Sequence, residues 1–396
     1  MSVYAQHGSR KSDKIQRAIE ASLIHGVVFS PKDESPANLE ALIRGLANDH
    51  HDIEYLIDPQ FYISTVDSAR EGHLPDYNFY RGNLNRRNFI SPADIATYVH
   101  STIDFQMNLP VTYLVSPTVI FDDFQDTWSQ IALSLAQESI HYHSGFENAP
   151  PLLLSLVISE GAFRLTDRLE EFLDLVSLFE AAGFYLIIVR AASQYQVQIE
   201  SESLQNILYF LYTLTELNDF EVITGYSDLI GILYHGVGIN ANACGWFNTL
   251  RQFSMSNIQP TDGGRAARPR YTSIPLLNRT LLIPELDSTF RAGFIDRVLT
   301  GTNFDAILRT NPANASWPND IDTLNHWQGL NTAIREIETQ TSISQKLEIV
   351  LGRIGRARVI YGELMRHGVQ FESASGPNHL DQLQRGIEGF RRLTGI

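Results

Sequence analysis

Apolar runs of strand length recur along this chain at about the spacing of one strand plus one helix, and that rhythm constrains the fold more than any single motif. The runs occupy residues 26–30, 53–58, 111–121, 152–159, 184–190, 220–225, 238–244 and 280–286. Between them, apolar residues return at helical spacing, as with Leu169, Phe172, Leu173, Val176 and Phe179, and again over 204–217. Strands that are apolar at nearly every position are buried on both faces, which is the condition of a parallel sheet flanked by helices. Eight such units in series predict an α/β fold, a (β/α)8 TIM-type barrel. The first predicted strand runs into Ser30-Pro31-Lys32-Asp33 and not into a glycine-rich phosphate turn, which argues against a dinucleotide-binding sheet.

A chain of 396 residues, 43% apolar, exceeds the roughly 250 residues of a typical barrel. The surplus is predicted to be a helical C-terminal extension, so that residues 1–300 form the barrel and 301–396 the extension, with helical patterns at 322–339, 343–368 and 380–393. Two stretches, 63–92 and 254–275, are long for connections in a compact domain and are expected to be functional loops or insertions.

Charge and cysteine usage exclude several function classes. With 45 acidic and 30 basic side chains the formal charge is −15, so broad attraction to a nucleic-acid backbone is disfavoured and any such contact has to be local. The single cysteine, Cys244, rules out an internal disulfide or a multi-cysteine zinc site and reads as a small core residue. His50-His51 and the pair His141 and His143 lack the spacing of a helix-borne metal site, so no metal and no cofactor is expected. The N-terminal 17 residues have no apolar run of the signal type, and the longest apolar runs fall well short of the roughly 20 residues of a membrane span. A cytoplasmic protein without membrane contact is expected.

In a barrel the residues at the C-terminal ends of the strands converge on one mouth. That rule selects Asp58, Asp122, Glu160, Arg190, Asp228, Asn240, Asn242, Glu285 and Asp287 as candidate site residues. For each of them a capping role at a strand-to-helix turn is the competing reading. The clearest basic patch is the loop carrying Arg265, Arg268 and Arg270, where guanidinium forks suit a phosphate or a carboxylate-rich partner, nucleic acid or protein. Replacing all three arginines by alanine is expected to weaken such binding at nearly unchanged stability.

The order of segments from residue 224 onward carries a resemblance. Gly225-Tyr226-Ser227-Asp228-Leu229 opens a helix that ends near Gly236-Val237 and leads into the strand 238–244. This resembles the part of tRNA-guanine transglycosylases (queuine tRNA-ribosyltransferases) that delivers their nucleophilic aspartate, directly before a cysteine; here Ala243 holds that place. Leu56-Ile57-Asp58-Pro59-Gln60-Phe61 is similar to the family's Asp-Ser-Gly-Gly-Phe-Gln segment, without the paired glycines. Phe121-Asp122-Asp123 looks like the Phe-Asp-Glu strand end that reads guanine, and Ser159-Glu160-Gly161 like a Val-Gln-Gly-Gly strand end, with a carboxyl in place of the amide. The segment from Pro260 to Arg265 resembles the family's Pro-Thr-Arg-x-Gly-Arg loop, while its Cys-x-Cys-x-x-Cys zinc site is missing.

The resemblance implies a barrel that binds guanine or a 7-deazaguanine base, or a partner bearing one, through Asp58, Asp122, Glu160, Arg190, Asn240 and Asn242. It also implies that base exchange is lost with the nucleophile, and that Asp122→Asn weakens base binding. Relatives of the family accompany type IV CBASS antiphage operons, so an antiviral accessory role is a further implication. Two other readings stand beside it. One is an active nucleobase ribosyltransferase or glycosidase with a relocated nucleophile among Asp58, Asp228 and Asp287. The other is a structural partner protein with a vestigial pocket.

Overall fold

The computed structural model describes residues 3–192, 194–260 and 268–396. Strands β1 (Val3–Gln6), β2 (Gly26–Phe29), β3 (Glu54–Ile57), β4 (Leu114–Val115), β5 (Ile120–Phe121), β6 (Leu152–Ser159), β7 (Gly183–Val189), β8 (Glu221–Gly225) and β9 (Ala241–Cys244) form one parallel sheet. It curls until β1 pairs with both β2 and β9, in the register Tyr4↔Gly26 and Tyr4↔Ala243. β4 and β5 are two halves of one stave, both paired with β6. The seam between β3 and β4 has no ladder; there the Thr112 N–H donates to the Tyr55 carbonyl at 2.8 Å and the Thr112 hydroxyl accepts from the Tyr55 N–H at 2.9 Å. Eight staves thus make a nearly closed barrel, as the apolar rhythm predicts. Seven residues of β7, Gly-Phe-Tyr-Leu-Ile-Ile-Val, are buried without a break, which explains why this run shows no strand alternation in sequence.

The identity of one stave differs from the sequence expectation. Val3–Gln6 is the first barrel strand, and the predicted strand over 280–286 lies outside the barrel. Its first part belongs to β11 (Asn278–Leu281), which pairs antiparallel with β10 (Arg270–Ser273), and Leu282–Leu286 is helical. Four residues at the start of a chain carry too little apolar signal to be read as a strand. What buries them is pairing on both sides, which only the closed sheet supplies. Glu285 and Asp287 accordingly do not sit at the barrel mouth.

Helices α1 (Lys14–Glu20), α2 (Pro36–Asp49), α3 (Pro92–Met107), α4 (Thr127–His143), α5 (Thr166–Val176), α6 (Ser201–Tyr212) and α7 (Gly231–His235) alternate with the staves. The place after β9 is taken by α8 (Asn319–Glu338), which packs on α1, α7 and β1. Its Trp327 indole donates to the Cys244 carbonyl at 2.9 Å, fastening the helix to the last stave. The stretch from Gly245 to Pro318, with the β10–β11 hairpin, is therefore inserted between the eighth stave and its helix.

Helices α9 (Ile343–Arg366) and α10 (His379–Thr394) follow α8; of the predicted extension over 301–396, the part in α8 packs on the barrel as the helix of its eighth stave. α10 lies along α6 because Gly386 and Gly389 face it: a Cβ at Gly386 would come to 2.7 Å from Leu204, and one at Gly389 to 2.2 Å from Gln205. Among the described residues no helix is long and apolar enough to cross a membrane.

Candidate functional site

Because every stave is parallel, the loops after β2, β3, β7 and β8 meet at one end of the barrel. Asp58 follows β3 there and is fully buried. One carboxylate oxygen accepts the Gln60 N–H at 3.0 Å and the other the Tyr62 hydroxyl at 3.0 Å, while the Tyr185 hydroxyl of β7 lies within reach of both Asp58 and the Gln6 side-chain oxygen, the latter at 3.3 Å, and has one proton to donate to either. Burial pushes the Asp58 carboxyl up to about 7, against these hydrogen bonds, which favour its charged form.

Gln60 links two loops to this group. Its backbone takes the left-handed conformation at φ 54°, which turns the side-chain carbonyl towards Ser30 and the Lys32 N–H, each at 3.0 Å. The ring of Phe253 closes the mouth over these residues, 5.5 Å from Tyr62 and 5.2 Å from Tyr226 between centroids. Phe253 is held there because its carbonyl accepts the Arg190 N–H at 2.7 Å, joining the insertion to the end of β7. Beside Phe253 a cleft of about 230 Å³ remains, lined among others by Lys32, Asp33, Gln60, Arg70 and Tyr226. Gln60 and Tyr226 thus belong both to the cleft wall and to the surroundings of Asp58.

A second cleft of about 370 Å³ opens over the ends of β6 and β7, against the start of α10. It contains Glu160, whose carboxylate lies 3.0 Å from the Arg190 guanidinium. Burial raises the Glu160 carboxyl above its usual range, opposed chiefly by Arg190. The structure therefore brings Glu160 and Arg190 together as an ion pair.

The other predicted residues disperse. Asp122 ends β5 in an exposed position, accepts the Ser159 hydroxyl, and is not among the residues lining either mouth cleft. Asn240 lies at the opposite end of the barrel, before β9, where its side chain accepts the Val222 N–H at 2.8 Å. Asn242 faces the helix layer and donates to the Ser227 carbonyl at 2.9 Å, with His235 at 3.2 Å from its side-chain oxygen. Strand alternation then directs Ala243 into the barrel. Asp228 is buried 3.2 Å from His326, whose other ring nitrogen meets the Thr272 hydroxyl at 2.9 Å. Burial raises the Asp228 carboxyl, opposed by Arg251 and Arg279. Glu285 accepts the N–H groups of Leu281 at 2.7 Å and Glu372 at 2.8 Å, and Asp287 pairs with Arg291 at 2.6 Å within a helical turn. Asp58, Asp228 and Asp287 do not form one cluster.

Cys244 is buried and its thiol is pushed up to about 12 by burial, which leaves it protonated.

The basic loop also divides. Arg265 lies outside the described residues. Arg268 is exposed and meets Glu372 at 2.6 Å. Arg270 is buried: it donates to the Arg279 carbonyl at 2.9 Å and the Ser375 hydroxyl at 2.8 Å, and its guanidinium lies 4.2 Å from the Tyr195 ring centroid. The expectation of unchanged stability on replacing all three arginines is therefore corrected. Arg270→Ala is expected to cost about 2–4 kcal/mol, since it strands buried acceptors and removes a cation–π contact. Arg268→Ala should leave the urea midpoint where it is, and an equally silent Arg270→Ala would contradict this division.

The cleft residues Asp33, Gln60, Tyr226 and Phe253 were not singled out from sequence. Tyr226 follows a predicted strand end directly and Gln60 stands two residues beyond Asp58, so the rule that selected Asp58 could have reached both. Nothing local marks Phe253, whose place depends on how the insertion folds back across the mouth. No protein-family model matches the chain, and no curated protein matches it in sequence.

Proposed function

We propose that this protein binds a guanine-type base, guanine or a 7-deazaguanine, at the barrel mouth and does not exchange it. The observation that carries the reading is the buried Asp58 carboxyl, tied through Gln60 to a cleft that has aromatic and carboxylate walls. At about 230 Å³ the cleft is smaller than the roughly 300–1,000 Å³ of pockets for drug-sized ligands, which suits one heterocycle. Tyr226 and Phe253 line the cleft with aromatic surface, and the Asp33 carboxylate can accept two hydrogen bonds from adjacent N–H groups of a guanine edge. Asp58 acts from below by fixing Gln60 and Tyr62.

The resemblance to tRNA-guanine transglycosylases supports the same reading and adds the loss of exchange. At Ala243 a methyl group points into the barrel where that family carries its attacking carboxylate, and a methyl group cannot hold a ribose as a covalent intermediate. An accessory role in a type IV CBASS antiphage system, inside the cytoplasm, belongs to this proposal on the strength of the resemblance alone.

The test is titration calorimetry with guanine and 7-deazaguanine. Asp33→Asn is expected to weaken binding by about 1.5–3 kcal/mol through loss of a charge-assisted acceptor, while Asp122→Asn, away from the cleft, leaves it unchanged. Labelled guanine should not enter tRNA. Robust exchange by the unmodified protein would refute the non-exchanging reading, and absence of any base binding would refute the site.

A second reading is acid–base chemistry at a glycosidic carbon: burial pushes the Asp58 carboxyl up to about 7, into the range where a general acid or base is most effective. A rate of nucleoside cleavage that follows an ionisation near that pH and vanishes in Asp58→Asn would select it.

A further inference from the structure

We infer that the ligand of the mouth cleft carries a phosphate beside its base, and that Lys32 and Arg70 hold that phosphate; the inference rests on the base-binding reading above. In a chain of net charge −15, most well-placed cations would be expected to find carboxylates. These two do not. Among the described residues the Lys32 ammonium takes part in no hydrogen bond or ion pair. The Arg70 guanidinium meets only the carbonyls of Ser256 and Asn257, each at a long 3.4 Å.

Both cations stand on backbone that is fixed at the cleft. The Lys32 N–H donates to the Gln60 side chain at 3.0 Å, and its carbonyl accepts the His73 N–H at 3.0 Å. The Arg70 N–H donates to the Ile258 carbonyl at 2.6 Å. Gly72 makes this junction possible: it has φ 58°, and a Cβ there would lie 2.2 Å from the Lys32 carbonyl oxygen. The long connection after β3 thus runs back across the loop after β2 and delivers Arg70 to the rim of the cleft.

The charges at the rim then assort by chemistry. Asp33, the carboxylate beside the two cations, suits the N–H edge of the base, which leaves an ammonium and a guanidinium for an anion. A guanidinium fork with a neighbouring ammonium is a recurrent phosphate-binding pair. The phosphate could belong to a mononucleotide or to a nucleic-acid strand. The acidic surface and the small cleft favour the mononucleotide.

The test compares guanosine, guanosine 5′-monophosphate, inorganic phosphate and a short guanine-containing RNA by calorimetry on the full chain. The monophosphate is expected to bind at least about tenfold more tightly than guanosine, to lose that advantage as salt rises, and to be displaced by millimolar phosphate. In the double variant Lys32→Ala/Arg70→Ala the ratio of the two affinities should fall to about one. RNA binding more tightly than the monophosphate would keep the phosphate site and assign its source to a strand. Equal affinity of guanosine and its monophosphate for the unmodified protein would overturn the inference and leave base binding standing. Failure of guanosine and guanine alike would remove the base reading and this inference with it.

Discussion

Replacing Asp322 by alanine is expected to destabilise the protein by about 3–5 kcal/mol, because it would leave two buried guanidinium groups without the carboxylate that touches both, with only the more distant Asp228 near them. One oxygen of Asp322 lies 3.1 Å from Arg251 and 3.1 Å from Arg279, and the other accepts the Trp317 indole N–H at 3.3 Å. Burial already pushes the Arg279 guanidinium down to about 10, with Arg251 adding to the shift and Asp322 opposing it. This carboxylate fastens three pieces that the chain supplies far apart: the mouth-crossing segment through Arg251, the β10–β11 hairpin through Arg279, and α8 through Asp322 itself. Trp317→Phe removes a single hydrogen bond and should cost about 1 kcal/mol. Urea unfolding of both variants measures the contrast, and a loss below about 1 kcal/mol for Asp322→Ala would show that the arginines do not depend on it.

Asp58 should make stability depend on pH in the sense opposite to that of a salt-bridged carboxylate. Its folded pKa of about 7 lies above the unfolded value near 4, so between these values the native state binds the extra proton. Its contribution is fully present below about pH 4, is lost as pH rises through about 7, and does not change above that. At about 1.4 kcal/mol for each pH unit, the loss approaches 4 kcal/mol. Asp58→Asn resembles the protonated group and cannot titrate. The difference in unfolding free energy between the variant and the parent should therefore move in the variant's favour by about 3 kcal/mol from pH 4.5 to 8.5, the first part of the loss lying below that range. Taking the difference cancels other groups, including Glu34, whose carboxyl is held down at about 2 by His7 and Lys11 and whose effect has the opposite sign at lower pH. A difference that stays flat would mean that Asp58 is ionised and solvated at neutral pH.

Much of the barrel was legible in sequence. Seven of its staves are apolar at nearly every position, and a parallel strand covered on both faces has to be. The first stave was not legible, since Val3–Gln6 is made a strand by its two neighbours; the run at 280–286 misled because apolar content does not reveal what an element pairs with. For the site, the strand-end rule found Asp58, Glu160 and Arg190, which the structure places at the mouth. It also chose Asn242, and there the one-residue alternation of a strand turns the amide out to the helices. Asn240 failed for a plainer reason: it precedes its strand.

Composition and periodicity by themselves determined that this chain closes parallel strands inside helices, because burial of apolar surface follows from residue order over ten or twenty positions. Which polar groups meet was decided only by the tertiary structure. Asp58 depends on Gln60, on Tyr185 from three staves away and on Phe253 from an insertion nearly 200 residues later, and Arg70 reaches the cleft because Gly72 lets two loops touch. Hydrogen bonds and charge pairs act over a few ångströms, and nothing in the local sequence around either partner encodes which distant residue will come within that range.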